Sequence, residues 1–379
     1  MDLSGWPYRP SAVPAAPTTF RLGYQPTLDG LRAIAIVLVL LYHSGVISWG
    51  FLGVDLFFAL SGYLITSLLL DERTIDLRQF YLRRCLRIMP ALYAVVVATA
   101  LLTWFTPLVP ADAEPAGFAR LALGTIFFAA NWVRIYLPSP SFVMLGQMWS
   151  LAVEEHFYLV WPGIVYLLRR RWPERITPLL AATLLGIAVS IATMFLHEGK
   201  RVYMGSDTRA HTLLFGCLAA QLQRLYPRTC EAWARPMLAI AGAGIVGVLA
   251  VRASLPRLQY PIFAVSCSLA IVSVVARRTS VITPFLAAPP TVMLGRLSYG
   301  IYLWHMIAAV WIDHIPGLEQ MPYEGALRFA LMLGSGILLA AASRRCPMCQ
   351  RRLRQSLPDI FVPMGGEWFS KRAEVTPCS

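Results

Sequence analysis

Charged residues are scarce in this sequence: they make up 14% of its 379 residues, whereas hydrophobic residues make up 57%. A soluble domain of this length cannot bury so large an apolar fraction against itself, so much of the chain must face lipid. Lysine is almost absent, with Lys200 and Lys371 as the only two. The net charge of +13 does not indicate nucleic-acid binding, because the arginines lie in short clusters between apolar runs.

Closely spaced cysteines are also scarce. The seven cysteines are an odd number, lie mostly in apolar segments and do not form a disulfide framework. Cys346 and Cys349 form the one close pair, which offers two of the roughly four ligands that a structural zinc site needs. The sequence therefore predicts no metal site and no permanently bound cofactor.

Ten apolar runs approach the length of a membrane span. They lie at about residues 31–48, 51–70, 88–106, 148–168, 176–196, 210–224, 237–252, 260–276, 296–312 and 325–343. An eleventh run, at about 118–136, contains Arg120, Asn131 and Arg134, and we expect it to form a half-span or re-entrant element. With that assignment every dense arginine cluster falls on the side of the N-terminus, which the positive-inside rule makes the cytoplasm.

The predicted fold is an all-α, polytopic transmembrane helix bundle of about ten spans with a possible re-entrant element. Residues 26–345 are predicted to form the transmembrane domain. We expect residues 1–25 to be a disordered cytoplasmic lead-in and residues 346–379 to be a cytoplasmic tail. Such a chain belongs in the inner, cytoplasmic membrane of a bacterial cell, with both termini in the cytoplasm.

The first span carries two ionisable residues on one helix face. In LDGLRAIAIVLVLLYHSG, Arg32 and His43 are eleven residues apart, which is close to three helical turns and about 16 Å along the axis. Ionisable groups inside a membrane are costly and usually face an internal cavity. His43 is therefore a candidate general base for a hydroxyl nucleophile, the alternative being a histidine whose hydrogen bonds a neighbouring helix satisfies.

Two further segments supply charges. Asp55, near one end of the second span, can orient an imidazole or hold an acceptor hydroxyl, or it can be an interfacial charge. In FYLRRCLRIMP, the guanidinium groups of Arg83, Arg84 and Arg87 lie within about one turn and can grip a polyphosphate such as that of coenzyme A. The alternative for these arginines is a cluster that sets topology and touches lipid headgroups.

Polar residues also line two later helices. QMWSLAVEEHFYLVWP places Trp149, Ser150, Glu154 and Tyr158 near one helix face, and its glutamates need a partner or a cavity. In LSYGIYLWH, Tyr302 and His305 have helical spacing, which fits either a polar stripe facing a cavity or an aromatic packing stripe.

Taken together, these segments resemble the acyltransferase-3 family of membrane-bound, acyl-CoA-dependent O-acyltransferases over about residues 25–345. The resemblance implies that His43 is catalytic, that Arg32 is its motif partner, that Arg84 and Arg87 engage the acyl donor, and that Glu154 is a required carboxylate. We assign the site residues as follows: catalytic, His43, Glu154 and Asp55; donor-binding, Arg32, Arg84 and Arg87; substrate-binding, Trp149, Ser150, Tyr302 and His305.

The predicted function is transfer of an acyl group from acyl-CoA, as co-substrate, to a sugar hydroxyl. The acceptor belongs to a glycosylated natural product such as a macrolide, or to an envelope polysaccharide or glycolipid. His43 can deprotonate the acceptor or first carry the acyl group itself, and both routes stay open. His156 stands where relatives usually have Gln, SRRCP stands where they often have a Glu-Arg-Pro-like ending, and we expect no fused esterase-like domain.

A membrane transporter or exporter of a small polar or glycosylated compound is the rival function. It also needs intramembrane Arg, His and Glu side chains. It predicts interrupted helices and a repeated half-structure, and the sequence has no such repeat.

Overall fold

The computed structural model describes residues 22–72, 74–106, 115–137, 143–251, 253–276 and 282–344. Most of these residues are helical, and the described ranges contain no β-strand. The prediction of an all-α membrane helix bundle is confirmed. Most of the predicted lead-in, the predicted tail and the Cys346 and Cys349 pair lie outside the described residues.

Fifteen α-helices make up the described part of the chain. They are α1 (Pro26–His43), α2 (Gly53–Asp71), α3 (Leu77–Phe105), α4 (Pro115–Ile126), α5 (Ala130–Tyr136), α6 (Met148–Arg171), α7 (Thr177–Leu196), α8 (Lys200–Met204), α9 (Ser206–Leu225), α10 (Pro227–Ala232), α11 (Ala234–Val251), α12 (Gln259–Ala276), α13 (Thr283–Leu286), α14 (Pro289–Asp313) and α15 (Glu324–Arg344). Short 3-10 turns occur at Gly50–Leu52, Val143–Leu145 and Leu318–Gln320.

Each of the ten predicted apolar runs coincides largely with one long helix among the described residues. Local sequence explains several of the helix starts: proline occupies the first turn of α1, α7 and α14, and the carboxylate of Asp76 accepts a hydrogen bond from the Gln79 amide at the start of α3. Six helices of the described residues are long and apolar enough to cross a membrane. The protein is therefore polytopic, and the predicted count of about ten spans is not confirmed.

The eleventh apolar run forms two short helices, α4 and α5, rather than one continuous helix. The chain turns between them at Phe128, whose φ of 55° is unusual for a residue with a side chain. Twelve residues of α4 extend only about 18 Å, which is less than the apolar thickness of a bilayer. This segment is therefore not a single crossing helix.

The centre of the bundle is built from α1, α2, α9, α12 and α14. Two of these contacts bring backbones together: a Cβ on Gly62 would overlap the carbonyl oxygen of Leu213, and a Cβ on Gly295 would overlap that of Asp29. Small residues allow this close approach of helices in membranes. The pairs α2 with α9 and α1 with α14 therefore pack backbone against backbone.

The outer helices present apolar side chains to the surroundings. Phe105 of α3, Leu185 of α7 and Leu338 of α15 are each more than half exposed, as expected for positions that face lipid. We call the side of the bundle where α1 begins the Arg32 side and the side where α1 ends the His43 side.

Candidate functional site

Arg84 of α3 lies against two carboxylates of α6 inside the bundle. Its Nη2 donates to Oε1 of Glu155 at 2.9 Å, and its Nε donates to the same oxygen at 3.2 Å. The same Nη2 lies 3.8 Å from Oε1 of Glu154. Charge-assisted contacts of this kind are strong, and they explain how adjacent glutamates are tolerated within an apolar helix.

Glu154 is held through one of its two oxygens. The hydroxyl of Tyr158 donates to Oε1 at 2.6 Å, and the hydroxyl of Ser61 on α2 donates to the same atom. Among the described residues, every recorded contact of this carboxylate uses Oε1, and its side chain is 22% exposed. The second oxygen, Oε2, is therefore available to accept a hydrogen bond from a ligand.

Arg32 and Arg87 complete this cluster on the Arg32 side. The electrostatic neighbours of Arg87 include Arg32 of α1, Arg84 and Glu154. Within the described ranges, neither Arg32 nor Arg87 forms an ion pair with a carboxylate, and the Arg87 side chain is exposed. The structure thus brings together the three arginines predicted to hold the donor, and what they bind stays a prediction.

His43 lies in a cavity of about 300 Å³ on the opposite side of the bundle. Its Nδ1 is 2.9 Å from the carbonyl oxygen of Val39, one turn earlier in α1. A carbonyl oxygen only accepts, so the proton of the neutral ring is on Nδ1 and Nε2 carries the free lone pair. This imidazole has the form that a general base requires.

Tyr302 lines the His43 cavity and is also an electrostatic neighbour of Glu154. Its hydroxyl is 2.5 Å from that of Ser150 and donates to the carbonyl oxygen of Gln147 at 2.8 Å. It interacts electrostatically with Glu154 on one side and with Arg134 on the other. The residue lines the cavity, whereas Ser150 lies behind it. Ser150 is therefore a hydrogen-bond partner of a cavity-lining residue rather than a lining residue itself.

The two other predicted substrate-binding residues are placed differently. Trp149 lines the cavity beside Tyr203, with ring centroids 4.6 Å apart. His305 is fully buried and does not line the cavity; its ring lies edge-on to that of His43 at 5.0 Å, and its Nδ1 is 2.6 Å from the Tyr302 carbonyl oxygen. His305 therefore contacts the catalytic candidate rather than the space for a substrate.

Asp55, predicted to orient an imidazole, to hold an acceptor hydroxyl or to be an interfacial charge, is instead buried between α2 and α9. It forms an ion pair with Arg209 of α9, and both side chains are 0% exposed. The guanidinium of Arg209 also lies 4.1 Å from the ring centroid of Tyr260. The sealed carboxylate can neither orient the imidazole nor touch an acceptor, so the pair joins α2 to α9 instead.

Three basic residues on the His43 side have no role in the predictions made from the sequence. Arg134 of α5 and Lys200 of α8 line the cavity, and Arg209 stands behind its wall, 5.7 Å from the ring centroid of Tyr203. Arg134 had a signal, because it interrupts an apolar run that cannot cross the membrane. Arg209 lies just before the apolar run of α9, where an arginine is ordinarily read as interfacial.

Two further histidines, His156 and His211, join neighbouring helices. Nδ1 of His156 lies 2.7 Å from the Ser206 hydroxyl, which also accepts from Asn131 at 2.9 Å, so that α5, α6 and α9 are joined. His211 is buried against Ser190 of α7. In the described ranges, no three His, Cys, Asp or Glu side chains are grouped as metal ligands.

Comparison with known proteins decides the family. The sequence model of the family described as "Acyltransferase domain", acyltransferase-3, matches residues 25–345. The chain belongs to this acyltransferase family. No solved structure matches the chain.

Relatives of this acyltransferase chain include proteins named O-acetyltransferase OatA. The Staphylococcus aureus (strain NCTC 8325 / PS 47) protein is 32% identical over 327 residues, covering 79% of this chain and 53% of the relative. The protein of Listeria monocytogenes, named peptidoglycan O-acetyltransferase OatA, is 33% identical over 326 residues, covering 76% and 50%. The chain thus spans about half the length of the curated relatives it matches.

Proposed function

We propose that this membrane acyltransferase moves an acyl group from acyl-CoA to a sugar hydroxyl. The observation that carries the proposal is His43, whose Nε2 lone pair is free and whose ring lines an open cavity. Family membership supports the transfer reaction, and the names of the relatives support an acetyl group as the acyl group moved.

The donor site of this proposal is the cluster of Arg32, Arg84 and Arg87. Arg32 and Arg87 have no carboxylate partner within the described residues, and the phosphate groups of coenzyme A would supply their anionic partners. The planar donors of a guanidinium group match the geometry of phosphate oxygens. The Arg32 side then faces the cytoplasm, where acyl-CoA is made, and both termini lie there too. Acyl-CoA is a co-substrate in this scheme and not a resident cofactor.

In the proposed reaction His43 acts as a general base. Its Nε2 takes the proton of the acceptor hydroxyl while the hydroxyl oxygen attacks the thioester carbonyl carbon. A carbon–oxygen bond forms, the carbon–sulfur bond breaks, and the imidazolium returns the proton to the leaving thiolate. General-base catalysis of this kind is worth roughly 10²- to 10⁴-fold in rate. The two-step alternative, in which His43 carries the acyl group, uses the same atom as nucleophile.

The acceptor of the proposal is a sugar hydroxyl on the His43 side. Relatives named peptidoglycan O-acetyltransferase favour an envelope glycan. A macrolide-like acceptor stays a prediction, and an acceptor panel separates the two.

Thiol release by the purified full chain in lipid nanodiscs tests the proposal. Acetyl-CoA and longer acyl-CoAs are supplied with glycan and macrolide acceptors, for the parent chain, His43→Ala and the control His314→Ala, whose histidine is exposed at the end of α14. We expect acceptor-dependent release that falls roughly 10²-fold or more in His43→Ala and is unchanged in His314→Ala.

Two other results are informative. A thiol burst without acceptor, absent in His43→Ala, would favour the acyl-histidine route. If no acyl-CoA binds, and replacing Arg84 and Arg87 by Ala changes nothing, the donor assignment is wrong.

A further inference from the structure

The cavity beside His43 carries an unbalanced positive charge. Arg134 and Lys200 line it, and no Asp or Glu is found among its lining residues in the described part of the chain. Arg134 is partly buried and Lys200 is exposed. Both residues therefore contribute to the wall of the cavity that His43 also lines.

Two other arginines on the His43 side, unlike Arg134, are paired with carboxylates. Arg201, next to Lys200, forms two contacts of 2.6 Å with the carboxylate of Asp207, and Arg209 is paired with Asp55. The recorded hydrogen bond of Arg134 goes instead to the uncharged carbonyl oxygen of Gly146. Of Arg134, Lys200, Arg201 and Arg209 on the His43 side, the two without a carboxylate partner among the described residues are thus the two that line the cavity.

An uncompensated cation within a membrane bundle is costly, and such groups usually face a ligand or a water-filled cavity. Arg134 also interacts electrostatically with His43 and Tyr302. An anion held by Arg134 would therefore lie close to the proposed base. This placement suits an acceptor whose negative group sits a few bonds from its reacting hydroxyl.

We propose that Arg134 and Lys200 select an acceptor sugar that carries a carboxylate or a phosphate. The inference rests on the proposed function, because it names the substrate class of the same site. A guanidinium offers a planar pair of donors to either anion, and the flexible lysine adds a point charge. The donor phosphates have their own arginine cluster, about 16 Å away along α1, and so do not account for these two residues.

Matched sugars test this proposal on the full chain in nanodiscs. The probes are methyl glucuronide against methyl glucoside, for a carboxylate, and glucose 6-phosphate against glucose, for a phosphate. Binding without donor is followed by the fluorescence of Trp149, which lines the cavity, with Trp149→Phe identifying its signal. Acetyl transfer from acetyl-CoA is measured separately.

The variants are Arg134→Gln, Arg134→Lys, Lys200→Gln and the control Arg257→Gln, which removes a cation that pairs with Glu198 outside the cavity. We expect a charged sugar to bind roughly tenfold or more tightly than its neutral match. Arg134→Gln should remove most of this preference, Arg134→Lys should keep part of it, and Arg257→Gln should leave it intact. Added salt should weaken only the charged sugar.

The outcomes separate this inference from the proposed function. Equal binding of charged and neutral sugars, with transfer intact, overturns the charge selection alone. Charge-dependent binding without transfer to any acceptor supports the selective cavity and contradicts the acyl-transfer proposal. If Arg134→Gln raises the KM for acetyl-CoA and leaves sugar preference unchanged, the cations serve the donor, and the inference is overturned.

Discussion

Asp55 and Glu154 are both carboxylates in apolar helices, yet their surroundings differ. Within the described residues each has one oxygen without a hydrogen bond, but Asp55 is paired with Arg209 and 0% exposed, whereas Glu154 is 22% exposed. A carboxylate that is paired and fully buried can hold helices together but cannot meet a ligand. A partly exposed carboxylate can still meet a ligand, so accessibility rather than charge distinguishes Glu154, the candidate for a functional acid, from Asp55.

Breaking the buried ion pair of Asp55 and Arg209 should have the largest effect, which is on the free energy of unfolding. Removing one partner of a buried ion pair leaves an uncompensated charge and costs about 3–5 kcal/mol. We expect Arg209→Met to lower the free energy of unfolding by about that amount, and Arg209→Met with Asp55→Leu to recover most of it. Denaturant unfolding in mixed micelles measures both.

The matched control for this prediction is Arg257→Met, which breaks an ion pair whose glutamate, Glu198, is 89% exposed. Such a surface pair contributes about 0–1 kcal/mol. Equal losses in Arg209→Met and Arg257→Met would contradict a structural role for the buried pair.

Substitutions in the cluster of Arg32, Arg84 and Arg87 should change donor binding rather than the free energy of unfolding. Arg87→Gln removes a guanidinium that lies beside Arg32 and Arg84, and a charged hydrogen bond is worth about 1.5–3 kcal/mol. We expect the KM for acyl-CoA to rise roughly tenfold or more, with little change in unfolding. Steady-state kinetics across donor concentrations measure the change.

Arg170→Gln controls for loss of charge on the same face of the membrane, because Arg170 lies near the end of α6 and contacts Tyr166 rather than the cluster. A similar rise in KM for both variants would mean that general surface charge, and not the Arg87 position, attracts the donor.

The smallest effect is expected at Ser61, whose hydroxyl donates to Glu154. Ser61→Ala removes one uncharged donor worth about 1 kcal/mol, so kcat/KM should fall roughly fivefold. Ser335→Ala on the exposed face of α15, where the hydroxyl bonds its own helix, should change nothing. A loss in Ser335→Ala, or none in Ser61→Ala, would show that this hydrogen bond does not position the carboxylate.

Local periodicity explains what the sequence could predict. The helices follow the apolar runs, and the arginine cluster follows from residues one turn apart in α3 together with Arg32. These features depend on spacing within one helix, which the sequence displays directly.

Contacts between distant segments explain what it could not predict. Asp55 meets Arg209 across 154 positions, and Glu154 meets Ser61 across 93. The apolar pattern of one helix does not determine which other helix it contacts. The roles predicted for Asp55 therefore did not include an ion pair with Arg209, and Arg134 and Lys200, on short helices, could not be placed at the cavity.

The backbone contacts at Gly62 and Gly295 mark positions of the central helices that do not tolerate a larger side chain. A larger side chain at Gly295 would force apart α1 and α14, which carry His43 and Tyr302, and one at Gly62 would force apart α2 and α9. Arg134 and Lys200 stand on the short helices α5 and α8, near loops where substitutions are better tolerated. Under the proposed roles of these two residues, a change of acceptor therefore requires substitutions in α5 and α8 alone and leaves the backbone contacts of the central helices unchanged.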